Sequence, residues 1–72
     1  MNANISGEKI RAARKEAGLG QVDLAVALQE YDIQIGQADI SEIENDARLV
    51  RDFELKAIAE ILDVSTDWLL EP

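Results

Sequence analysis

The segment DFELKAIAEIL, residues 52–62, places Leu55, Ile58, Ile61 and Leu62 at i, i+3, i+6 and i+7. That spacing gathers them on one face of an α-helix and fits no strand. Asp52 stands at its head as the expected N-cap. Four shorter segments repeat the period. The first helix is expected from Gly7 to Ala17, with Ser6 as cap, Ile10, Ala13 and Ala17 inward, and Arg14 and Lys15 at its negative end. Gly18 followed by Leu19 reads as a left-handed stop. The second helix, Gln21 to Gln29, turns Leu24, Ala25 and Leu28 inward behind a weak Gly20 cap, with Asp23 in its first turn. The third runs from Gln37 to Asn45, and the fifth from Thr66 to Leu70 behind Ser65.

Only Tyr31-Asp32-Ile33-Gln34-Ile35 alternates with period two. It has no partner strand in the sequence. The expectation is an extended loop whose apolar side chains pack on the helices, with strand pairing across a dimer the weaker alternative. The fold class is therefore all-α, with five helices in a single domain over residues 1–72.

Such a small chain is marginally stable unless its helices pack well or its subunits associate. It has no Cys and no His, which excludes disulfides and Cys/His metal sites. Its apolar stretches are far shorter than a membrane span, and residues 1–20 contain no signal-peptide core, so the expected location is cytoplasmic.

The net charge is −8, and it is unevenly spread. From Glu16 to Asp46 there are eight acids and no Lys or Arg, whereas the remainder carries seven of each sign. The imbalance includes GQADISEIEND, residues 36–46, the third helix itself. Nucleic-acid binders ordinarily present a basic footprint, so this segment sets the functional question.

Three stretches in order, IRAARKEAGLGQVDLAVAL, ISEIEND and FELKAIAEILDVSTDWLL, resemble the Cro/cI-like (XRE-like) helix-turn-helix family of phage and bacterial repressors. The likeness covers about Gly7 to Leu70, nearly the whole chain. It implies a phage-repressor-like DNA-binding domain whose third helix enters the major groove. It also implies a partly buried pairing of Arg14 with Glu44, and a Gln21 that contacts the DNA backbone and braces the reading helix. The chain departs from the family at Gly20 and Gly36, where Ser or Thr caps are usual, and at Asp46, where glycine commonly follows the Asn. The link from Leu28 to Ile40 is about five residues longer than the short form of the motif.

Placed at 100° steps from a Gly36 cap, Ile40 and Ile43 face the core, while Gln37, Ala38, Ser41, Glu42 and Asn45 spread over the opposite face. Gln37 is suited to a bidentate contact with adenine. Glu42 either accepts from cytosine N4 or, the preferred reading, is a solvated glutamate. Asp39 suits the positive end of the helix, and Asp46 lies beyond it. Arg48 and Arg51 follow the helix, where the family meets phosphate; surface pairing with Asp52 and Glu54 is nearly as good an account. Lys9, Arg11 and Lys15 read as a solvated face, and Trp68, Phe53 and Leu69 as core or dimer contacts.

No catalytic set assembles: Ser6 and Ser65 are expected caps, Ser41 lies mid-helix, and no His activates any of them. Asp63-x-Ser65-x-Asp67 opens like a calcium loop, but Trp68 replaces its glycine. No enzyme activity, cofactor or metal is expected. The reading is a sequence-specific, repressor-like regulator of transcription, a homodimer bound to double-stranded DNA. The rival is an acidic protein-interaction or dimerisation module on the same fold. It would use the 16–46 segment and the apolar side chains of Val22, Val26, Tyr31, Ile33 and Ile35.

Overall fold

The computed structural model describes residues 6–71. Five helices follow in order: α1 (Gly7–Glu16), α2 (Gln21–Gln29), α3 (Gln37–Glu44), α4 (Asp52–Leu62) and α5 (Thr66–Leu70). The described residues contain no strand, and residues 31–35 form the expected irregular link. Ile33 and Ile35 are buried, and Gln29 Nε2 donates to the Ile35 carbonyl at 3.1 Å, pinning the link beneath α2. α2 packs on α3 and α4, α1 also packs on α3 and α4, and α5 closes against α4. One cluster results, with Ile10, Leu24, Leu28, Ile40, Ile43, Ile58 and Leu69 fully buried. No helix among the described residues is long and apolar enough to cross a membrane.

Four helices end in one kind of turn. After α1, Gly18 N–H donates to the Lys15 carbonyl and Leu19 N–H to that of Arg14, the paired bonds of a Schellman cap. The same pair recurs after α2 (Asp32 to Gln29, Ile33 to Leu28), α3 (Asp46 to Ile43, Ala47 to Glu42) and α4 (Asp63 to Glu60, Val64 to Ala59). Each turn needs one left-handed residue. Gly18 supplies the first at φ 75°, but Asp32, Asp46 and Asp63 supply the others at φ 61°, 59° and 57°. Aspartate tolerates this region better than most residues, yet its charge lies at the negative end of a helix. Replacing exposed Asp63 with Gly is expected to stabilise the fold by about 0.5–1 kcal/mol, read as a higher melting temperature.

Several expected details are corrected. Arg51, not Asp52, is the N-cap of α4, and Asp52 is its first helical residue. The Glu54 carboxylate caps instead, accepting Arg51 N–H at 3.0 Å. The inner face of α4 is Ala57, Ile58, Ala59 and Leu62; Leu55 and Ile61 are only partly buried at its edges, because α4 is flanked by α1, α2 and α5. Ala17 is exposed as the C-cap of α1, and its inward place is taken by Arg14. Ser6 is the N-cap, but no capping bond comes from its side chain. Ser65 Oγ does cap α5, accepting Trp68 N–H at 3.0 Å. Leu69 is core, while Phe53 and Trp68 reach the surface. Lys9 is no solvated side chain. Its ammonium donates to the Trp68 and Glu71 carbonyls at 2.7 and 2.8 Å and lies 5.3 Å from the Trp68 ring centroid, tying α5 to α1.

Candidate nucleic-acid interface

α2 and α3 are held by matched half-boxes. Gly20 and Gly36 are the N-caps, and glycine has no side chain to offer. The return half of each box supplies the cap. Asp23 accepts Gly20 N–H at 2.7 Å, and Asp39 accepts Gly36 N–H at 3.0 Å. Two acids of the negative segment thus answer free backbone donors at positive helix ends.

Along α3, Ile40 and Ile43 are wholly buried, and Gln37, Ala38, Glu42 and Asn45 are exposed, with Ser41 between. The helix ends at Glu44, with Asn45 as its C-cap. Asn45 Nδ2 folds back to the Ser41 carbonyl at 2.9 Å, so its amide is partly engaged within the helix. The Glu42 carboxylate makes no hydrogen bond or ion pair among the described residues, and the residue is exposed.

Beneath this face runs a polar line. Arg14 grips Glu44 with Nε at 2.6 Å and Nη2 at 3.0 Å, and its Nη1 donates to the Leu19 carbonyl at 2.9 Å. Both side chains are almost wholly buried, at 9% and 1% exposure. The hydrogen bond to Glu44 raises the Arg14 pKa against the opposing cost of burial. Gln21 Nε2 donates to Glu44 Oε1 at 3.3 Å, and Gln37 Nε2 donates to Gln21 Oε1 at 3.4 Å. An unbroken chain therefore joins the interior of α1 to the exposed first turn of α3. Asp46 lies at the start of α1: a Cβ added to Gly7 would stand 2.8 Å from its Oδ1 and 2.5 Å from the Ile43 carbonyl. This close approach of α1 to the end of α3 has no signal in the sequence pattern.

The two arginines after α3 separate. Arg51 is exposed, and its side chain makes no hydrogen bond or ion pair among the described residues. Arg48 turns inward and forks onto Glu54 at 3.0 and 2.8 Å, with Asp39 Oδ1 3.8 Å from its Nε. The expected alternative of Asp52 and Glu54 as partners is thus met by Glu54 and Asp39. The Arg48 hydrogen bond holds the Glu54 carboxyl below the usual carboxylate range; burial opposes it, and Arg51 N–H and the nearby positive charges add to it. A lowered native pKa means that the folded state resists protonation. Its contribution to stability is complete above the ordinary value of ~4.3 and is lost as pH falls through the native one. Glu54→Gln should therefore cost about 2 kcal/mol at neutral pH, a gap that closes on acidification. Urea unfolding at stepped pH measures it.

A family model described as a helix-turn-helix domain matches residues 7–71. No curated protein and no solved structure matches the chain.

Proposed function

The chain belongs to this family of XRE-like helix-turn-helix DNA-binding domains, and from that premise we propose that it is a sequence-specific, repressor-like regulator of transcription. One observation carries the reading. α3 buries Ile40 and Ile43 completely while presenting Gln37, Ala38, Ser41 and Glu42 outward, on a helix braced from behind by Gln21, Glu44 and Arg14. A helix with one anchored face and one polar face is what the major groove accepts. Gln37 reads adenine, with Gln21 placed to hold its amide and to meet the backbone. Asn45 ends α3 and Arg51 follows it as an exposed cation, the pair suited to phosphate contact.

One copy spans too few bases for useful specificity, so the working form is a homodimer on two half-sites ~34 Å apart. Arg14 and Arg48 are consumed internally and Lys9 clasps α5, which leaves Arg11, Lys15, Arg51 and Lys56 as the cations available to DNA on a chain whose net charge is −8. Binding is accordingly modest and weakens with added salt.

A second reading, an interaction module that no longer binds DNA, is favoured by the exposure of Val22, Val26 and Tyr31 within the acidic segment. Ile33 and Ile35 give it no support, because both are in the core. Selection from a pool of random duplex DNA at low salt separates the two. Enrichment of a two-fold symmetric site is expected. A pool that emerges unenriched would replace the regulator with the interaction module.

A further inference from the structure

Arg48 lies between two carboxylates, each of which caps a helix. Glu54 accepts the N–H of Arg51, the N-cap of α4, and both its oxygens also accept from the Arg48 guanidinium. Asp39 accepts the N–H of Gly36, the N-cap of α3, through Oδ2, while its Oδ1 lies 3.8 Å from Arg48 Nε. The line Gly36 N–H, Asp39, Arg48, Glu54, Arg51 N–H is continuous, and one guanidinium joins its halves. Arg48 Nη1 also donates to the Leu49 carbonyl at 3.0 Å, fixing the intervening loop.

We propose that Arg48 is a positioning residue: it sets the start of α3 against the start of α4 and cancels the charge of Asp39, and it does not anchor a phosphate. The inference rests on the DNA-binding reading above. Glu54 is 2% exposed, and a buried carboxylate stripped of its partner is costly, so Arg48 is not free to swing out to DNA. A planar fork suits this role, since it engages Glu54 bidentately while its Nε edge faces Asp39. Asp39 is only partly covered on the first turn of the reading helix, within a Debye length of any phosphate met there. Uncancelled, its charge would oppose the approach. The Arg48 pKa is raised mainly by the Glu54 hydrogen bond, against burial, with the charges of Glu54, Asp39 and Glu42 adding to the rise.

The test is a double-mutant cycle of Arg48→Gln and Asp39→Asn, read on affinity for a selected duplex at several salt concentrations. Arg48→Gln should weaken binding about five-fold, and adding Asp39→Asn to it should recover most of that loss. The slope of log K against log salt should stay the same. A slope reduced by about one, with no recovery by Asp39→Asn, would make Arg48 a phosphate anchor and overturn the proposal. An amide spectrum without DNA provides the independent arm. Arg48→Gln should move the Gly36 resonance as well as that of Arg51, and an unmoved Gly36 would overturn the coupling. If no duplex is bound at all, the regulator reading fails, while the amide arm still decides the coupling. Should Arg48→Gln not fold, Arg48→Lys keeps the charge without the fork, and the same Gly36 shift is expected.

Discussion

Glu44→Ala should leave the protein largely unfolded at room temperature. The substitution strands the Arg14 guanidinium, 9% exposed, with its principal partner gone. Removing one member of a buried pair costs about 3–5 kcal/mol, comparable to the whole stability that a single small core supplies. Gln21 would lose its acceptor as well, and with it the support of Gln37. Loss of helical circular dichroism and of a cooperative urea transition would record the effect. Joint replacement of Arg14 and Glu44 by Leu should cost much less than Glu44→Ala alone, because the penalty is for an unpaired buried charge. A folded, cooperative Glu44→Ala protein would mean that the pair is ornamental.

Gly7→Ala is the second large effect, and it works through space rather than charge. The added methyl would stand 2.5 Å from the Ile43 carbonyl and 3.1 Å from that of Glu44, both of them backbone atoms. A backbone atom cannot rotate away, so α1 and the end of α3 must part. Overpacking of this kind costs about 1–3 kcal/mol. Because it displaces the helix proposed to read DNA, affinity should fall further than stability alone explains. Denaturant midpoints and duplex titrations of the folded variant separate the two effects. Unchanged affinity in a destabilised but folded variant would mean that α1 does not position α3.

The helices were legible because their apolar period is clear locally, with the Gly18 stop and the Ser65 cap in agreement. Ile40 and Ile43, Leu24 and Leu28, and the Gly18 stop follow from spacing and from glycine's freedom. The core face of α4 was only half legible. Leu55 and Ile61 have the right period, but the neighbours on both flanks of α4 bury Ala57 and Ala59 instead. Three aspartates in left-handed turns carry no pattern that separates them from surface acids, though each follows a helix where glycine would be ordinary. The candidate site divides in the same way. The outward face of α3 can be drawn from a 100° wheel, whereas the pairing of Arg14 with Glu44 came from family resemblance and not from periodicity. The pairing of Arg48 with Glu54 was one of the two accounts open in the sequence, but Arg48 with Asp39, and Lys9 with carbonyls of residues 68 and 71, join points that no local rule connects. The negative segment is mostly architecture: Asp23, Asp39 and Glu44 satisfy backbone or buried donors, and Asp32 and Asp46 turn the chain. Glu42 is the acid of α3 left exposed, its carboxylate making no hydrogen bond or ion pair among the described residues.

The central claim is that α3 reads base edges. Its most direct test is to repeat the random-duplex selection with native protein and with Gln37→Ala in parallel. The account predicts a two-fold symmetric site for the native protein, with the variant losing preference at one position in each half-site and keeping the rest. An identical site from both proteins would contradict it by taking Gln37 out of the groove, and no enriched site from either would remove DNA reading altogether.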